Sequence, residues 1–510
     1  MGIYKIKTKL KIIWIKFKIG LWPVILAFLK SYKHELTFSA ILLASIFIRF
    51  IDLNSVPPGL YNDEAVLILQ SIDRFKIGPD MLFRAGVLGF SHLFGGNHLM
   101  ALRFFSAILG VLTVFLIYLL GRLWFNQRIA LVASFLAAFS FWPILVSRSI
   151  VHANIIPVLF LLMMIFGSLA FREKRKSYFA VLGVLVGLGF YSSLVFWLIP
   201  VLFLPIFIYA FYKKPKILKK YEKEISVFES LVMSFMLPGV IYLIWHPEIA
   251  FSFWPGPINL AKNVFKSLLL FNIETPAIWH TNLKDEPLLD PFVGISFLSG
   301  FIIALKYFHS TKYQFLILGF FASLMPAAFS HNYLYVFKAV GAIPFVFIFS
   351  GLAIDWTLAS WAKIFPFNKL AKALAAIVFA GLMTTTAIFN IEKYFWAWRG
   401  SPEVYQVFNE DLVAATQFLN GLPNESSKYY WQNDRSNIIK ALETKEMKEV
   451  SLNSLPELKL SSNKNTFVFS EADKPYLAKI QEKFPGGDVG WYVSPYSKRV
   501  LFNIYTVNGS

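Results

Sequence analysis

The stretch PPGLYNDEAVLI, residues 57–68, sets two adjacent carboxylates, Asp63 and Glu64, just past an apolar run. A carboxylate there can accept a hydrogen bond from an incoming hydroxyl and take its proton as a displacement proceeds. PPGLYND reads as a turn, and Asn62 or Asp63 is placed to cap a helix beginning EAVLILQSIDRF. Val66, Leu67, Leu69 and Ile72 suit a helix lying along a membrane surface. Taken alone, Asp63 is an N-cap and Glu64 a first-turn acid favoured by the helix dipole. The setting adds chemistry, because the pair opens a long segment otherwise rich in apolar, Gly and aromatic residues.

Further polar residues are expected on the same side. VSRSIVHAN carries Arg148 and His152, and ETPAIWHTNLKDEPLLDP carries Glu274, His280, Asn282, Lys284, Asp285 and Glu286. FSHNYLYVFKAVGAIP adds His331, Asn332 and Lys338. Singly, each is an interfacial anchor or a snorkelling side chain. Together, cations converging with a few acids near membrane depth suit a phosphate-bearing ligand whose tail lies in lipid, with Arg giving a bidentate grip.

The elements that must position these residues are membrane helices. The chain of 510 residues is 56% hydrophobic and only 15% charged, against about a quarter charged in soluble domains. Mean hydropathy is +0.57. This is the composition of a polytopic α-helical membrane protein. The net charge of +19 does not indicate nucleic-acid binding. Residues 390–510 hold 14 basic and 14 acidic side chains, so the whole excess lies in the first 389 residues, much of it in short loops between apolar runs. That is the pattern of the positive-inside rule and of contact with anionic lipid. With no Cys, disulfides, thiolate metal sites and Cys nucleophiles are excluded.

Residues 1–33 hold eight Lys and no acid and are expected to form a basic cytosolic interfacial arm. About eleven spans are predicted, near 36–52, 99–121, 129–147, 153–171, 178–191, 194–212, 226–245, 291–308, 313–330, 334–354 and 373–390. Lys and Arg fall on alternate loops, which puts the N-terminus in the cytosol and the C-terminus outside, as in a prokaryotic plasma membrane. A transmembrane region at 34–390 then carries external loops at 53–98 and 246–290. Residues 391–510 are expected to form a small extracytoplasmic α/β domain, with helices around 402–420 and 472–484 and strands in NTFVFS and RVLFNIYTV.

Over roughly residues 36–400 the sequence resembles the GT-C superfamily of integral-membrane glycosyltransferases, close to the protein O-mannosyltransferase and aminoarabinose-transferase group. The resemblance is carried by RFIDLNSVPPGLYNDEA and by LFGGNHLMALRFFSAILGVLTVFLIYLLGRLWF, which includes Arg103. It continues in SFWPILVSRSIVHANIIPVL, GVLVGLGFYSSLVFWLIP, PLLDPFVGISFLSGF, LMPAAFSHNYLYVFKAVGAIP and NIEKYFWAWRG. It implies inverting transfer of a sugar from a polyprenyl-phosphate donor to an acceptor outside the cytosol: a protein, a lipid or a glycan. Asp63 would be the base and Glu64 its helper. Arg148, Lys338 (where the family more often has Arg) and His331 would meet the donor phosphate, with Arg103, His152, His280 and Asp285 as further site candidates. A second acidic motif of some relatives is missing from SRSIVHAN. No metal site is assigned, although paired acids could bind a divalent cation. The alternative readings are a transporter or flippase of a lipid-linked glycan, and a membrane scaffold presenting the C-terminal domain.

Overall fold

The computed structural model describes residues 31–73, 80–95, 99–192, 196, 220–247, 257–273, 278–283, 286–329, 336–461, 463–495 and 498–509. Most of the basic arm and of the predicted span at 194–212 lie outside these residues. Nine of the other predicted spans fall on helices, from Lys33–Phe50 to Lys369–Glu392, and the third falls on two. Among the described residues, five helices are long and apolar enough to cross a bilayer, or six if one bent pair counts as a single span.

The bent pair corrects the third predicted span. Gln127–Phe139 and Phe141–Arg148 meet at 59°, with Ser140 extended between them. Pro143 follows three residues on, and its ring is incompatible with a continuous helix through the carbonyl four residues back, that of Phe139. The N–H of Phe141, released by the break, donates to Asn390 Oδ1 at 2.9 Å. The polar atom at the break is thereby satisfied from the last long helix.

Small residues set the helix packing. A methyl on Gly300 would lie 1.8 Å from the Phe349 carbonyl oxygen, so the Pro291–Lys306 and Ile343–Ile364 helices touch through their backbones. Leu43, Phe47, Ile295, Ile302, Ile364, Leu370 and Ile377 are exposed on helix surfaces, as expected of the area that lipid covers.

The C-terminal domain is built on a five-stranded mixed sheet. Its strands are β1 (Ser427–Trp431), β2 (Lys448–Val450), β3 (Lys464–Ser470), β4 (Asp488–Val493) and β5 (Val500–Asn508), in the order β2-β1-β3-β5-β4. β1 runs parallel to β2 and β3, and β5 antiparallel to β3 and β4. The two-residue alternation of strands gives the sheet two faces. One face packs Tyr429, Phe467 and Tyr505 against Leu477 and Ile480 of the Pro475–Lys483 helix. The other carries Tyr430, Val468 and Phe502 and shares one continuous core with Ile438, Leu412, Leu60 and Ile68. Through the Glu410–Gly421 and Asn437–Leu442 helices, the domain is thereby fused to the acid-bearing segment.

Candidate active site

The segment 53–60 has few donors of its own, since Pro57 and Pro58 bring no N–H. Its carbonyls are capped by two arginines, each fully buried. Arg103 donates to Leu53 O at 3.2 Å, to Pro57 O at 2.9 Å and to Gly59 O. Arg148 donates to Ile48 O at 2.7 Å, to Val56 O at 3.1 Å and, through Nε, to the Tyr394 hydroxyl at 3.2 Å. A planar guanidinium suits this task because its fixed fork can reach several acceptors at once. Arg148 is therefore turned to the loop's backbone, not to an open surface as the phosphate role expected of it would need. A third buried arginine, Arg49, donates to Ala137 O, Ala138 O and Ser45 Oγ next to the helix break.

On this brace the Asn62–Asp73 helix starts and separates the two acids. Glu64 turns inward and is 3% exposed. Its carboxylate accepts from Tyr61 N at 3.0 Å and from Ile150 N at 2.6 Å. Burial pushes its carboxyl above the usual glutamate range. Arg103 and the two backbone N–H groups oppose that rise, and the charge of Asp63 adds to it. Glu64 ties the start of this helix to the end of the Phe141–Arg148 helix. Asp63 turns the other way and is exposed.

Asp63 faces a set of groups from separate elements. It is within electrostatic reach of Lys338 and of His152, and His152 also feels Lys338 and Asp80. His152 is exposed at the start of its segment. Asp80 caps no N–H group of the helix that follows it but pairs with Arg84 at 3.2 Å. The result is one charged cluster, in which an acid, a Lys and a His from separate elements share a field.

The aromatic wall comes from Tyr61 and the 278–283 loop. Tyr61 stacks on His280 with centroids 4.0 Å apart and planes 15° apart. Burial, then the charges of Asp63 and Glu64, push its hydroxyl above the usual tyrosine range. The loop is pinned by Trp398 Nε1, which donates to Trp279 O at 2.8 Å, and by Lys393, 2.6 Å from Glu286. His280 is 1% exposed, and burial lowers its pKa to about 4. At neutral pH it is an uncharged ring against Tyr61.

That burial has a measurable consequence. Between pH 6.5 and 4 the unfolded chain binds a proton at residue 280 that the folded chain does not, so folded stability falls as pH falls through this window. The full effect is about 3 kcal/mol, taking 1.36 kcal/mol per pKa unit. His280→Phe keeps the stacking surface and removes the titration. The melting temperature in detergent should decline less steeply from pH 6.5 to 4 in the variant, and superimposable profiles would refute the assignment.

The structure thus brings Asp63, Glu64, Arg103, Arg148, His152, His280 and Lys338 to one region. His331 and Asp285 lie outside the described residues. Asp80, Tyr61, Tyr394 and Arg49 were not singled out in the sequence. Arg49 carried a signal, a cation inside an apolar span, which usually marks function or pairing. Among the described residues no three His, Asp or Glu side chains are grouped to hold a metal ion.

Residues 85–245 match the family described as dolichyl-phosphate-mannose-protein mannosyltransferase. The matched residues include Arg103, Arg148 and His152 and begin after the acid pair. No curated protein matches the chain. Among solved structures, ArnT from Cupriavidus metallidurans bound to undecaprenyl phosphate superposes with a TM-score of 0.52 at 13% identity, covering 93% of this chain and 98% of that one. The Archaeoglobus fulgidus oligosaccharyltransferase, tethered to an acceptor peptide with an NVT sequon, gives a TM-score of 0.51 at 15% identity over 95% of this chain and 75% of its own. The chain has the fold of the GT-C integral-membrane glycosyltransferases and is similar to their O-mannosyltransferase and ArnT group.

Proposed function

We propose that this chain is an inverting glycosyltransferase that moves a monosaccharide from a polyprenyl-phosphate donor to an acceptor hydroxyl on the extracytoplasmic side of the membrane. The observation that carries the reading is the split of the acid pair. Glu64 is held inside by two backbone N–H groups, and Asp63 is turned outward, where Lys338 and His152 feel its charge. The ArnT structure of the same fold is bound to undecaprenyl phosphate, which supports a lipid-linked donor.

Each group has a part in the transfer. The Asp63 carboxylate takes the acceptor's hydroxyl proton while the oxygen attacks the anomeric carbon from the face opposite the phosphate. The new C–O bond forms as the bond to phosphate breaks, and the electron pair leaves with polyprenyl phosphate. Lys338, on the Val336–Ala342 segment, meets the charge that grows on the leaving phosphate. His152 borders the sugar. Glu64, Arg103 and Arg148 hold the loop so that Asp63 is in reach when the acceptor arrives, and orientation of this kind is worth several kcal/mol of barrier. The donor's tail enters from lipid, and the acceptor, whether protein, lipid or glycan, comes from the outer aqueous side.

The test is transfer of radiolabelled sugar by the purified chain from a panel of polyprenyl-phosphate donors, with and without a chelator. Transfer from one donor, giving the inverted anomer, is the expected result. Loss on chelation would add a divalent cation to the mechanism. Lipid movement in proteoliposomes with no transfer from any donor would favour a lipid-linked-glycan transporter instead.

A further inference from the structure

The segment that leads into the C-terminal domain lies directly on the acid-bearing loop. A methyl on Gly59 would sit 2.1 Å from the Phe408 carbonyl oxygen and 3.2 Å from Glu410 N, so the two backbones are in contact. Asn409 adopts a left-handed conformation with φ of 49° and is 5% exposed. Asn is one of the few side-chain-bearing residues that takes this conformation readily. Its amide is used at both ends. Nδ2 donates to the Leu60 carbonyl at 3.0 Å, and Oδ1 accepts from Arg435 at 3.0 Å. Arg435 is in turn paired with Asp411 at 3.1 Å. The next residue, Glu410, accepts from Ser494 Oγ at 2.6 Å at the end of β4. Leu60 is fully buried and precedes Asp63 by three residues.

We propose that Asn409 is a positioning residue, through which the C-terminal domain sets the place of Asp63 over the site. The proposal rests on the reading of Asp63 as the base. The membrane side already fixes the loop by Arg103 and Arg148 at its carbonyls 53, 56, 57 and 59. Residue 60 is held from the other side, and only the C-terminal domain supplies that hold among the hydrogen bonds described for its carbonyl. The amide chemistry is specific. A carboxylate at 409 could accept from Arg435 but would set an oxygen against the Leu60 carbonyl. The domain is therefore part of the catalytic assembly and not a separate cap.

The experiment uses the full chain and one donor. Asn409→Gly removes the amide but tolerates the left-handed backbone, so the fold is retained. Asn409→Asp keeps the size and reverses the contact with Leu60. In both, kcat per folded enzyme should fall on the order of 10²-fold, as misplacement of a reacting group by about 1 Å does, while the KM for the donor stays within about threefold. Arg435→Gln, which unlocks Asn409 from a distance, should give a smaller loss of kcat. Asp63→Asn is run alongside. If it is inactive and Asn409→Gly turns over like wild type, the positioning role is overturned while the base assignment stands. If Asn409→Gly loses only melting temperature or yield, with kcat per folded molecule unchanged, Asn409 is a structural residue and the proposal fails. If Asp63→Asn is active, the base assignment itself has failed, and the Asn409 proposal fails with it.

Discussion

Asp63→Asn is expected to leave a folded protein whose transfer rate falls on the order of 10²–10⁴-fold, the span typical of a lost general base. Asn is close in size and, like Asp, is tolerated at a helix start, so the Asn62–Asp73 helix should still form. The side chain is exposed, so its replacement by a side chain of similar size opens no gap in the core. What is lost is a group able to take a proton. The amide also removes the negative charge that faces Lys338 and His152, and donor affinity should hold or rise because the anionic phosphate no longer meets that charge. The check is single-turnover transfer beside donor binding on the same preparation. A slow variant that still binds donor supports the assignment. Near-normal turnover would remove Asp63 from the chemistry.

Much of the fold was legible because its cause is local. Apolar runs of about twenty residues can do little but cross or line a bilayer, and nine of the eleven predicted spans have one helix in their place, although only five or six of the described helices are long and apolar enough to span. The break at Ser140 was harder to read, because Pro143 stands inside a run of uniform hydropathy. A proline there is compatible with a kink, a break or a helix start, and the choice is made by Asn390, some 250 positions away, which takes the freed N–H. In the C-terminal domain, NTFVFS and RVLFNIYTV were read as strands and form β3 and β5. β1, SKYYW, was not. Four of its five residues are buried, so it lacks the alternation that marks a half-exposed strand.

The site divides in the same way. Asp63 and Glu64 are conspicuous as adjacent acids, and a helix start turns neighbours to different sides. Which one turns inward depends on Ile150 and Arg103, which no local pattern pairs with residue 64. Arg148 was expected at a phosphate because an arginine near membrane depth suggests an anion. Its actual partners are carbonyls, which are invisible in a sequence of side chains. The same blindness hid Asn409, an ordinary asparagine until its backbone conformation and the Leu60 carbonyl are seen together.

Arg103→Met should have the largest effect on the fold itself. The variant leaves the carbonyls of Leu53, Pro57 and Gly59 without their donor and Glu64 without its neighbouring guanidinium, all in the interior. Removing one partner from a buried charged arrangement costs about 3–5 kcal/mol, a large share of the 5–15 kcal/mol that holds a typical fold. The expected outcome is poor yield and a steep fall in melting temperature, with transfer lost together with the folded protein. Arg103→Lys separates charge from shape. A single ammonium restores the charge near Glu64 but cannot span three carbonyls as the guanidinium fork does, so it should fold with a lower melting temperature and a transfer rate between those of wild type and Arg103→Met. The comparison is made by thermal melting of the purified chains in one detergent. If Arg103→Met melts with wild type, the loop is held by packing alone, and the guanidinium would have to be assigned to the ligand after all. If Arg103→Lys matches wild type in both melting and transfer, charge alone suffices and the fork geometry is not what fixes the acid-bearing loop.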